Sequence, residues 1–215
     1  MIKCSTSLWS ADLANLASEM RRVEPFSERF HIDVADGHYV PNLLFFPDQV
    51  KALRPHSRLP FEVHLMTTDP QAWIGPFVEA GADIILFCLD SAKNPGEVLR
   101  SIRKQGKQAG VSLLITESLE LLAPYWEQID VLTIVGTAMG IKGASMDAGV
   151  PDKLRRAREL ISERGLDIVV EADGGIRRET VPLMAAAGVD YIVPGSLMFK
   201  EEPAAMRQWL SSLET

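Results

Sequence analysis

Cysteine is scarce in this sequence of 215 residues, in which only Cys4 and Cys88 occur. The two lie far apart and form no CxxC pair, so the sequence predicts neither a disulfide framework nor a thiolate zinc site. Basic residues are also few, with 22 Lys and Arg against 29 Asp and Glu and a formal net charge of -7. Nucleic acids and anionic membrane surfaces are bound chiefly through excess Lys and Arg, so we expect neither as a partner.

Long apolar runs are missing as well, and no stretch of the sequence reaches membrane-spanning length. The N-terminal sequence up to Leu13 lacks the basic region and the long apolar stretch of a secretory signal. We therefore expect a cytoplasmic protein. The chain is 47% hydrophobic, long enough to bury one full core but short for two, so we expect a single domain over residues 1–215.

Short runs rich in β-branched residues alternate with longer segments of helical period. This alternation predicts parallel strands joined by crossover helices. Eight strands are predicted, over Ile2–Leu8, Arg29–Val34, Pro60–Leu65, Asp83–Cys88, Gly110–Leu114, Val131–Val135, Asp167–Ala172 and Asp190–Pro194. No linker or low-complexity stretch interrupts the series, so the pattern favours a single closed (β/α)8 TIM barrel. An open doubly wound sheet is the alternative, but the turn at residues 7–10 has no GxGxxG motif.

Capping residues and glycines mark the expected helix ends. Asp69 and Asn94 each precede a proline, which loses no hydrogen bond at the first helical position, and Ser10 is a third expected N-cap. Gly81 and Gly188 each stand between a helical segment and the next strand. We expect both to adopt the left-handed conformation that ends a helix, which residues with a Cβ adopt less readily.

Ionisable residues recur near the ends of three predicted strands. Alternate residues of a strand share one face, and here that face carries His31 with Asp33, Glu62 with His64, and Glu171 with Asp173. Strands that are buried on both faces are otherwise almost wholly apolar. These side chains therefore need compensation by a metal, by polar partners or by water.

The types of these residues favour a metal site at the barrel mouth. His31, Asp33, His64 and Asp173 would form a mixed nitrogen and oxygen site suited to zinc, iron, manganese or cobalt rather than calcium. The two glutamates, one step deeper, could orient the imidazoles as hydrogen-bond acceptors. The alternatives are ordinary hydrogen-bonded histidines near loops and a buried polar network of purely structural value.

Glycine-rich turns follow the last three predicted strands. They lie at 136–143, which includes Gly140 and Gly143, at Gly174-Gly175, and at Gly195-Ser196. TIM barrels often bind phosphate after strands seven and eight, where backbone N–H groups and the N-terminus of a short helix face the anion. Residues 196–199 fit that short helix, and Lys142 could add positive charge. The alternative is that the glycines only permit tight turns.

The sequence resembles the ribulose-phosphate 3-epimerase family, which includes allulose 6-phosphate 3-epimerase, over nearly its whole length. The most specific motifs are residues 31–42 (HIDVADGHYVPN), residues 63–66 (VHLM) and residues 173–175 (DGG). The resemblance implies a TIM barrel of the ribulose-phosphate-binding type. It also implies a divalent-metal-dependent 3-epimerase of a ketose phosphate, either the ribulose 5-phosphate and xylulose 5-phosphate pair or a sugar such as allulose 6-phosphate. Relatives are often homo-oligomers, so we expect one here.

The resemblance also implies roles for individual residues. Those matching His31, Asp33, His64 and Asp173 hold the metal in the family, and the two aspartates act as its acid-base pair. The family residues that match Ser7, Gly174, Gly175, Gly195 and Ser196 contact the substrate or its phosphate. We expect four further contacts in this chain, from Met66, Gly140, Lys142 and Gly143. Two aspartates that serve opposite faces of C3 would remove a proton from one face and return it to the other.

Departures from the family pattern bear on the substrate. Residues 137–142 read Thr-Ala-Met-Gly-Ile-Lys where the family usually has Pro-Gly-Phe-Gly-Gly-Gln. Cys88 stands at the position of a family histidine, Leu114-Ile115 at that of an Asn-Pro, and Ala35 at that of a methionine. None of these touches the four metal positions. They favour a paralogue that acts on a different ketose phosphate.

Two other functions are open from the sequence. A related sugar-phosphate lyase or aldolase on the same barrel carries an Asp-x-Lys-x-x-Asp motif, whereas residues 33–36 read Asp-Val-Ala-Asp with no lysine between the acids. A Schiff-base aldolase needs an inward lysine on a strand, and the predicted strands offer only Lys3, near the bottom of the first. A non-catalytic sugar-phosphate-binding barrel is the non-enzymatic alternative.

Overall fold

A nine-stranded sheet forms the centre of the molecule. The computed structural model describes residues 2–214, so Met1 and Thr215 of the expected domain lie outside the described residues. The strands are β1 (Lys3–Ser7), β2 (Arg29–Asp36), β3 (Leu43–Leu44), β4 (Phe61–Met66), β5 (Ile84–Cys88), β6 (Gln108–Leu114), β7 (Val131–Val135), β8 (Val169–Asp173) and β9 (Tyr191–Ile192). All eight predicted strands are present, and β9 is shorter than its predicted span.

Eight of the strands are parallel and close into a barrel. The sheet order is β1-β9-β8-β7-β6-β5-β4-β2-β3, and an additional parallel pairing of β1 with β2 closes the ring. The short β3 pairs antiparallel with the end of β2 and was not predicted from the sequence. The predicted TIM barrel is therefore confirmed, and the open doubly wound sheet is excluded.

Helices surround the barrel. They are α1 (Leu16–Val23), α2 (Pro47–Leu53), α3 (Pro70–Ala80), α4 (Pro95–Lys104), α5 (Val150–Glu163), α6 (Val181–Ala186), α7 (Ser196–Phe199) and α8 (Pro203–Ser211). Short 3-10 turns at Leu119–Leu122 and Trp126–Gln128 take the place of an α-helix between β6 and β7. Among the described residues, no helix is long and apolar enough to cross a membrane.

The helix ends agree in most places with the sequence. The Asn94 side chain accepts a hydrogen bond from the backbone N–H of Glu97, as expected of an N-cap. Asp69 precedes α3 but makes no side-chain capping bond. Gly81 and Gly188 have φ angles of 101° and 82°, which confirms their predicted left-handed conformation.

The prediction of Ser10 as a helix N-cap is wrong. Ser10 ends a 3-10 turn that begins at Leu8, and α1 starts only at Leu16. The Asp12 carboxylate accepts hydrogen bonds from the Ala14 backbone N–H and the Asn15 side chain, so a local turn precedes the helix. Such turns are a common use of aspartate outside helices.

The two faces of each strand serve different purposes. Along β2, the outward residues Phe30, Ile32 and Val34 are buried in the main hydrophobic core against the helices. The inward positions between them carry ionisable side chains. The barrel interior is therefore the place where polar chemistry is concentrated, as the period-two pattern predicted.

Candidate active site

Four ionisable side chains meet near the carboxyl ends of three barrel strands. β2 carries His31 and Asp33, β4 carries His64, and the last residue of β8 is Asp173. Asp33 and His64 are register partners on neighbouring strands, which places them at the same level in the barrel. We call these four residues the upper cluster.

The geometry of the upper cluster is compact. His31 Nε2 lies 3.5 Å from Asp33 Oδ1 and 4.0 Å from Asp173 Oδ2, and His64 Nδ1 lies 3.9 Å from the same Asp173 oxygen. One nitrogen or oxygen atom from each residue lies within 4.8 Å of those of the other three. The structure thus brings together all four residues that the sequence singled out as metal ligands.

Two buried nitrogens of the upper cluster have no hydrogen-bond partner among the described residues. They are His31 Nε2 and His64 Nδ1, the atoms that face the two aspartates. Burying a polar atom without a hydrogen-bond partner costs folding free energy. A ligand that contacts both nitrogens would offset this cost. Two imidazole nitrogens and two carboxylates are ligands that zinc, iron, manganese and cobalt accept. The residues present therefore fit a divalent cation.

The two aspartates differ in their electrostatic surroundings. Burial works to raise the pKa of Asp33, but the charge of the nearby His31 and the hydrogen bond from Ser7 outweigh it and lower the pKa. Burial raises the pKa of Asp173 to about 6, with the charge of His31 opposing the rise and that of Asp33 adding to it. The side chain of Asp173 is also the more exposed, at 19% against 7%. The aspartates are thus chemically distinct in the absence of a ligand.

The pKa values of the two imidazoles are shifted in opposite directions. Burial works to lower the pKa of His31, but Asp33 and the hydrogen bond with Glu62 hold it well above its usual value. Burial and the charge of His31 lower the pKa of His64 to about 4. His64 is therefore a neutral imidazole, the protonation state in which histidine binds metals.

Polar neighbours hold the upper cluster in place. Ser7 Oγ donates to Asp33 Oδ2 at 2.7 Å, across the strand pair that closes the barrel. His64 Nε2 is hydrogen-bonded to Ser112 Oγ at 2.9 Å. Sequence reasoning missed Ser112, because one small polar residue in an apolar strand gives no pattern and its contact with His64 depends on the register of three strands.

A second group of charged side chains lies beneath the first. Glu62 Oε1 accepts a hydrogen bond from His31 Nδ1 at 2.8 Å, the orienting contact that the sequence suggested. Glu171 Oε1 is 3.8 Å from the same nitrogen, and Glu171 instead forms its close ion pair with Arg29. We call Arg29, Glu62 and Glu171 the lower cluster. Sequence reasoning missed Arg29, although its position two residues before His31 puts it on the inward face of β2.

The pKa values of the two glutamates move in opposite directions. Burial works to raise the pKa of Glu62, but the charges of Arg29 and His31 lower it to about 2. Burial raises the pKa of Glu171 to about 8, with the charge of Glu62 adding to the shift and that of Arg29 opposing it. Of the two glutamates, Glu62 is therefore the stronger acid and Glu171 binds a proton more readily.

The residues expected at the substrate and its phosphate surround one pocket. Asp33, His64 and Asp173 open into this pocket from the upper cluster. Its lining includes every predicted substrate-contact residue, namely Ser7, Met66, Gly140, Lys142, Gly143, Gly174, Gly175, Gly195 and Ser196. The predicted short helix at 196–199 is present as α7. These residues therefore lie around one pocket, and their contacts with a substrate stay a prediction.

Glycine is required at the turn after β8. Gly174 and Gly175 have φ angles of 84° and 69°, which side chains with a Cβ rarely adopt. A Cβ on Gly174 would lie 2.4 Å from Thr137 Oγ1, and one on Gly175 would lie 2.6 Å from Met146 Cβ. The loop after β7 can thus approach the backbone after β8, and both border the pocket.

Two cationic side chains extend along the pocket rim. Lys142 Nζ donates to the backbone carbonyl of Trp9 at 2.8 Å, and Arg177 Nη2 donates to that of Gly143 at 2.8 Å. Both therefore tie the loop after β7 to its neighbours. Arg177 was not singled out from the sequence, where an arginine after a glycine pair resembles any surface residue.

Cys88 lies beside the upper cluster. Its Sγ is 3.8 Å from His64 Nε2 and donates to Met139 Sδ at 3.2 Å. Burial raises the pKa of the Cys88 thiol to about 12. The thiol therefore stays protonated and contributes a small, weakly polar wall rather than a ligand.

Comparison with known proteins identifies relatives along nearly the whole chain. The model of the ribulose-phosphate 3 epimerase family matches residues 3–199. The ribulose-phosphate 3-epimerase of Bacillus subtilis is 34% identical over 201 residues, which cover 93% of each chain. That of Mycobacterium bovis is 36% identical over 200 residues, which cover 93% of this chain and 87% of the relative.

Solved structures with the same fold include more distant proteins. The 3-keto-L-gulonate-6-phosphate decarboxylase of Vibrio cholerae superimposes with a TM-score of 0.71 at 15% identity, covering 99% of this chain and 96% of that one. The 3-hexulose-6-phosphate synthase of Salmonella typhimurium gives a TM-score of 0.67 at 19% identity, covering 99% and 98%. At this level of identity the likeness concerns the barrel alone.

Proposed function

Since the chain belongs to the ribulose-phosphate 3-epimerase family, we propose that it inverts C3 of a phosphorylated ketose with a divalent cation held by the upper cluster. Family membership makes the protein an isomerase that acts on sugar phosphates. The residues of the site, the cation and the individual ketose phosphate are the proposed part. The ribulose 5-phosphate and xylulose 5-phosphate pair and allulose 6-phosphate are the candidate sugars.

One observation carries the proposal. Two imidazole nitrogens, for which residues 2–214 offer no hydrogen-bond partner, and two carboxylates converge within 4.8 Å at the floor of a pocket that the glycine-rich turns border. His31, Asp33, His64 and Asp173 would hold the cation, with zinc, iron, manganese or cobalt as candidates. When bound, such a cation supplies positive charge that lowers the energy of negative charge on substrate oxygens.

The two aspartates are the proposed acid-base pair. Inversion at C3 needs a base that removes the proton from one face and an acid that returns a proton to the other. Asp33 on β2 and Asp173 on β8 belong to strands that β1 and β9 separate, so they approach the pocket from different sides. Each would act as base in one reaction direction and as acid in the other. Their different surroundings without a ligand support such a division of roles.

The pocket rim supplies the proposed phosphate contacts. The positive-φ turn at Gly174-Gly175 and the start of α7 at Gly195-Ser196 border the pocket, and backbone N–H groups of these segments would bind the phosphate. Lys142 adds a positive charge. Binding the phosphate at a distance from C3 would hold the reacting carbon between the aspartates, so that binding energy serves orientation.

The same proposal includes a cytoplasmic homo-oligomer built from one domain. Leu43, Phe46 and Trp73 are exposed by 77%, 58% and 37% and border one groove, which supports contact with another copy of the chain. Trp126, by contrast, is only 4% exposed and packs inside the molecule.

Exchange with solvent deuterium tests the proposal. Cobalt-loaded protein is incubated in D2O with each candidate ketose phosphate, and proton NMR follows the C3 signal. We expect loss of that signal together with the appearance of the C3 epimer. Cleavage of a C–C bond would indicate the lyase alternative, and binding without exchange would indicate a sugar-phosphate-binding barrel; either result would contradict the proposal.

A further inference from the structure

An arginine is enclosed in the barrel directly beneath the upper cluster. The Arg29 side chain is 4% exposed. Its Nη2 lies 2.8 Å from Glu62 Oε2 and also donates to Glu171 Oε2, so one nitrogen contacts carboxylates from two different strands. Its guanidinium carbon stands 3.9 Å from the centre of the Tyr191 ring, which comes from a third strand. The guanidinium is therefore fixed between opposite walls of the barrel.

Glu62 connects this arginine to the proposed metal centre. While Oε2 contacts Arg29, Oε1 accepts hydrogen bonds from His31 Nδ1 at 2.8 Å and from Ser5 Oγ at 2.7 Å. Both oxygens of the carboxylate are thereby held, and its plane cannot rotate freely. Because His31 Nδ1 donates to Glu62, Nε2 is the ring nitrogen that faces the two aspartates and is left for a cation.

The lower cluster is also a competing place for a cation. His31, Glu62 and Glu171 can bring one ligand atom each within 4.8 Å of one another, as the upper cluster does. The Arg29 guanidinium lies against both of these glutamates. Positive charge is therefore already present in the lower cluster, and a second cation there would face repulsion at short range.

We propose that Arg29 is a positioning residue of the metal centre, which acts through Glu62 to aim His31 Nε2 upward and which keeps the cation out of the lower cluster. This inference rests on the proposed function, because it presumes the cation in the upper cluster. Without Arg29, Glu62 and Glu171 would lie beneath His31 without the guanidinium that now contacts both. The His31 imidazole and the cation would then both be attracted toward the lower cluster.

Cobalt affinity tests this role. The dissociation constant of the full chain for Co²⁺ is measured by competition with a chelator, and visible absorption of the bound ion reports its coordination. We expect Arg29→Met to weaken binding by about 10-fold or more and to change the absorption bands, since loss of an outer contact to a metal ligand has effects of this order. Arg54→Met is the matched control, because Arg54 also stacks on an aromatic ring, at 3.8 Å from Phe61, and pairs with Asp83 at 3.1 Å.

The control separates positioning from stability. We expect Arg54→Met to lower the unfolding midpoint but to leave Co²⁺ affinity and spectrum as in the wild type. We also expect the double variant Arg29→Met with Glu62→Gln to bind Co²⁺ no more weakly than Glu62→Gln alone, because both changes break one chain of contacts. Additive losses, or an Arg29→Met protein that binds like the wild type, would overturn the inference.

The Arg29→Lys variant and Co²⁺ binding by the wild type cover two further outcomes. If Arg29→Met does not fold, Arg29→Lys retains the charge but not the two-sided contact, and we expect it to fold with a weakened affinity and an altered spectrum. Wild-type affinity and spectrum in Arg29→Lys would also overturn the inference. A wild-type protein that binds no Co²⁺ would instead refute the metal centre of the proposed function.

Discussion

The upper and lower clusters occupy the same barrel, yet their charges are compensated differently. In the lower cluster, Arg29 contacts Glu62 and Glu171, so opposite charges meet within the protein itself. The four residues of the upper cluster include no arginine or lysine, and its His31 Nε2 and His64 Nδ1 have no hydrogen-bond partner among the described residues. Burial alone therefore does not identify a functional site. Arg29 Nε and Glu62 Oε2 of the lower cluster also lack a hydrogen-bond partner in the described part of the chain, so the informative difference is the permanent cation, which of the two clusters only the lower one contains.

We expect the lower cluster to contribute mainly to folding stability and the upper cluster mainly to ligand binding. A self-compensated cluster contributes to one defined arrangement of the barrel, and removal of one member leaves the others uncompensated. The upper cluster has no permanent cation of its own, so we expect it to add less to the stability of the metal-free protein than the lower cluster does. Substitutions in the two clusters are therefore expected to produce different kinds of loss.

The largest expected effect comes from the aspartates of the upper cluster. Asp33→Asn and Asp173→Asn each remove a group that can take up or give a proton, for a loss of about 10²- to 10⁴-fold in kcat. Steady-state kinetics on the metal-loaded variants measures this, with unfolding of the metal-free forms followed in parallel. Near-normal turnover in either variant would contradict the two-aspartate scheme.

The lower cluster is expected to show its effect in stability. Glu62→Leu leaves His31 Nδ1 and Ser5 Oγ without their acceptor and breaks the ion pair with Arg29. We expect the free energy of unfolding of the metal-free protein to fall by about 3–5 kcal/mol, as when one partner of a buried pair is removed. Denaturant titration measures the change, with metal-free Asp33→Asn as the comparison. Equal losses in the two variants would erase the distinction between the clusters.

The pH dependence of stability sharpens the comparison further. The pKa of Glu171 is raised from 4.5 to about 8, first by burial and then by the charge of Glu62. The folded protein therefore binds a proton there that the unfolded chain has lost between these values, so the contribution is complete below the lower value and disappears as pH rises through the upper one. We expect the stability of metal-free wild type relative to Glu171→Gln to decline from about pH 5 to about pH 8. A difference that is constant over this range would refute the assignment.

The smallest expected effect lies at the pocket rim. Lys142 is exposed and already donates to the Trp9 carbonyl, so Lys142→Ala should raise KM by only about two- to fivefold, in keeping with about 0.2–1 kcal/mol for an exposed charge. We expect kcat to change little. Lys107→Ala is the control, since Lys107 pairs with Asp83 at the opposite end of the barrel. A similar KM change in both variants would remove Lys142 from the phosphate contacts.

Much of the fold was predictable because the periodic signals are local. Most barrel strands are short runs rich in apolar residues, and Gly81 and Gly188 mark helix ends by a conformation that glycine adopts readily. The two-residue strand β3 was missed because its pairing depends on contact with Ala35 and Asp36 rather than on its own sequence. Ser10 was assigned to a helix start because an N-cap and a local aspartate turn have similar composition.

The candidate site was predictable where the same kind of residue recurs on several strands. Histidine and aspartate on the inward faces of several strands form a pattern, and that pattern placed the upper cluster correctly. Arg29, Ser112 and Arg177 each occur once and act through contacts between elements distant in the chain. Their partners are set by strand register and loop packing, which a single sequence does not display. Asp36 is a further case, because its carboxylate joins two loops by accepting hydrogen bonds from Tyr39 and Thr68.

Closure of the barrel by β1 and β9 has a consequence for biosynthesis. The ribosome completes β2, with His31 and Asp33, long before Asp173 on β8 is made, and Lys3 can pair with Tyr191 only after β9 has emerged. Once β4 is complete, a nascent chain therefore holds three of the four proposed ligand positions until β8 is made. Binding of the proposed cation at all four positions must wait for Asp173, so chains that terminate before β8 cannot form the complete proposed centre.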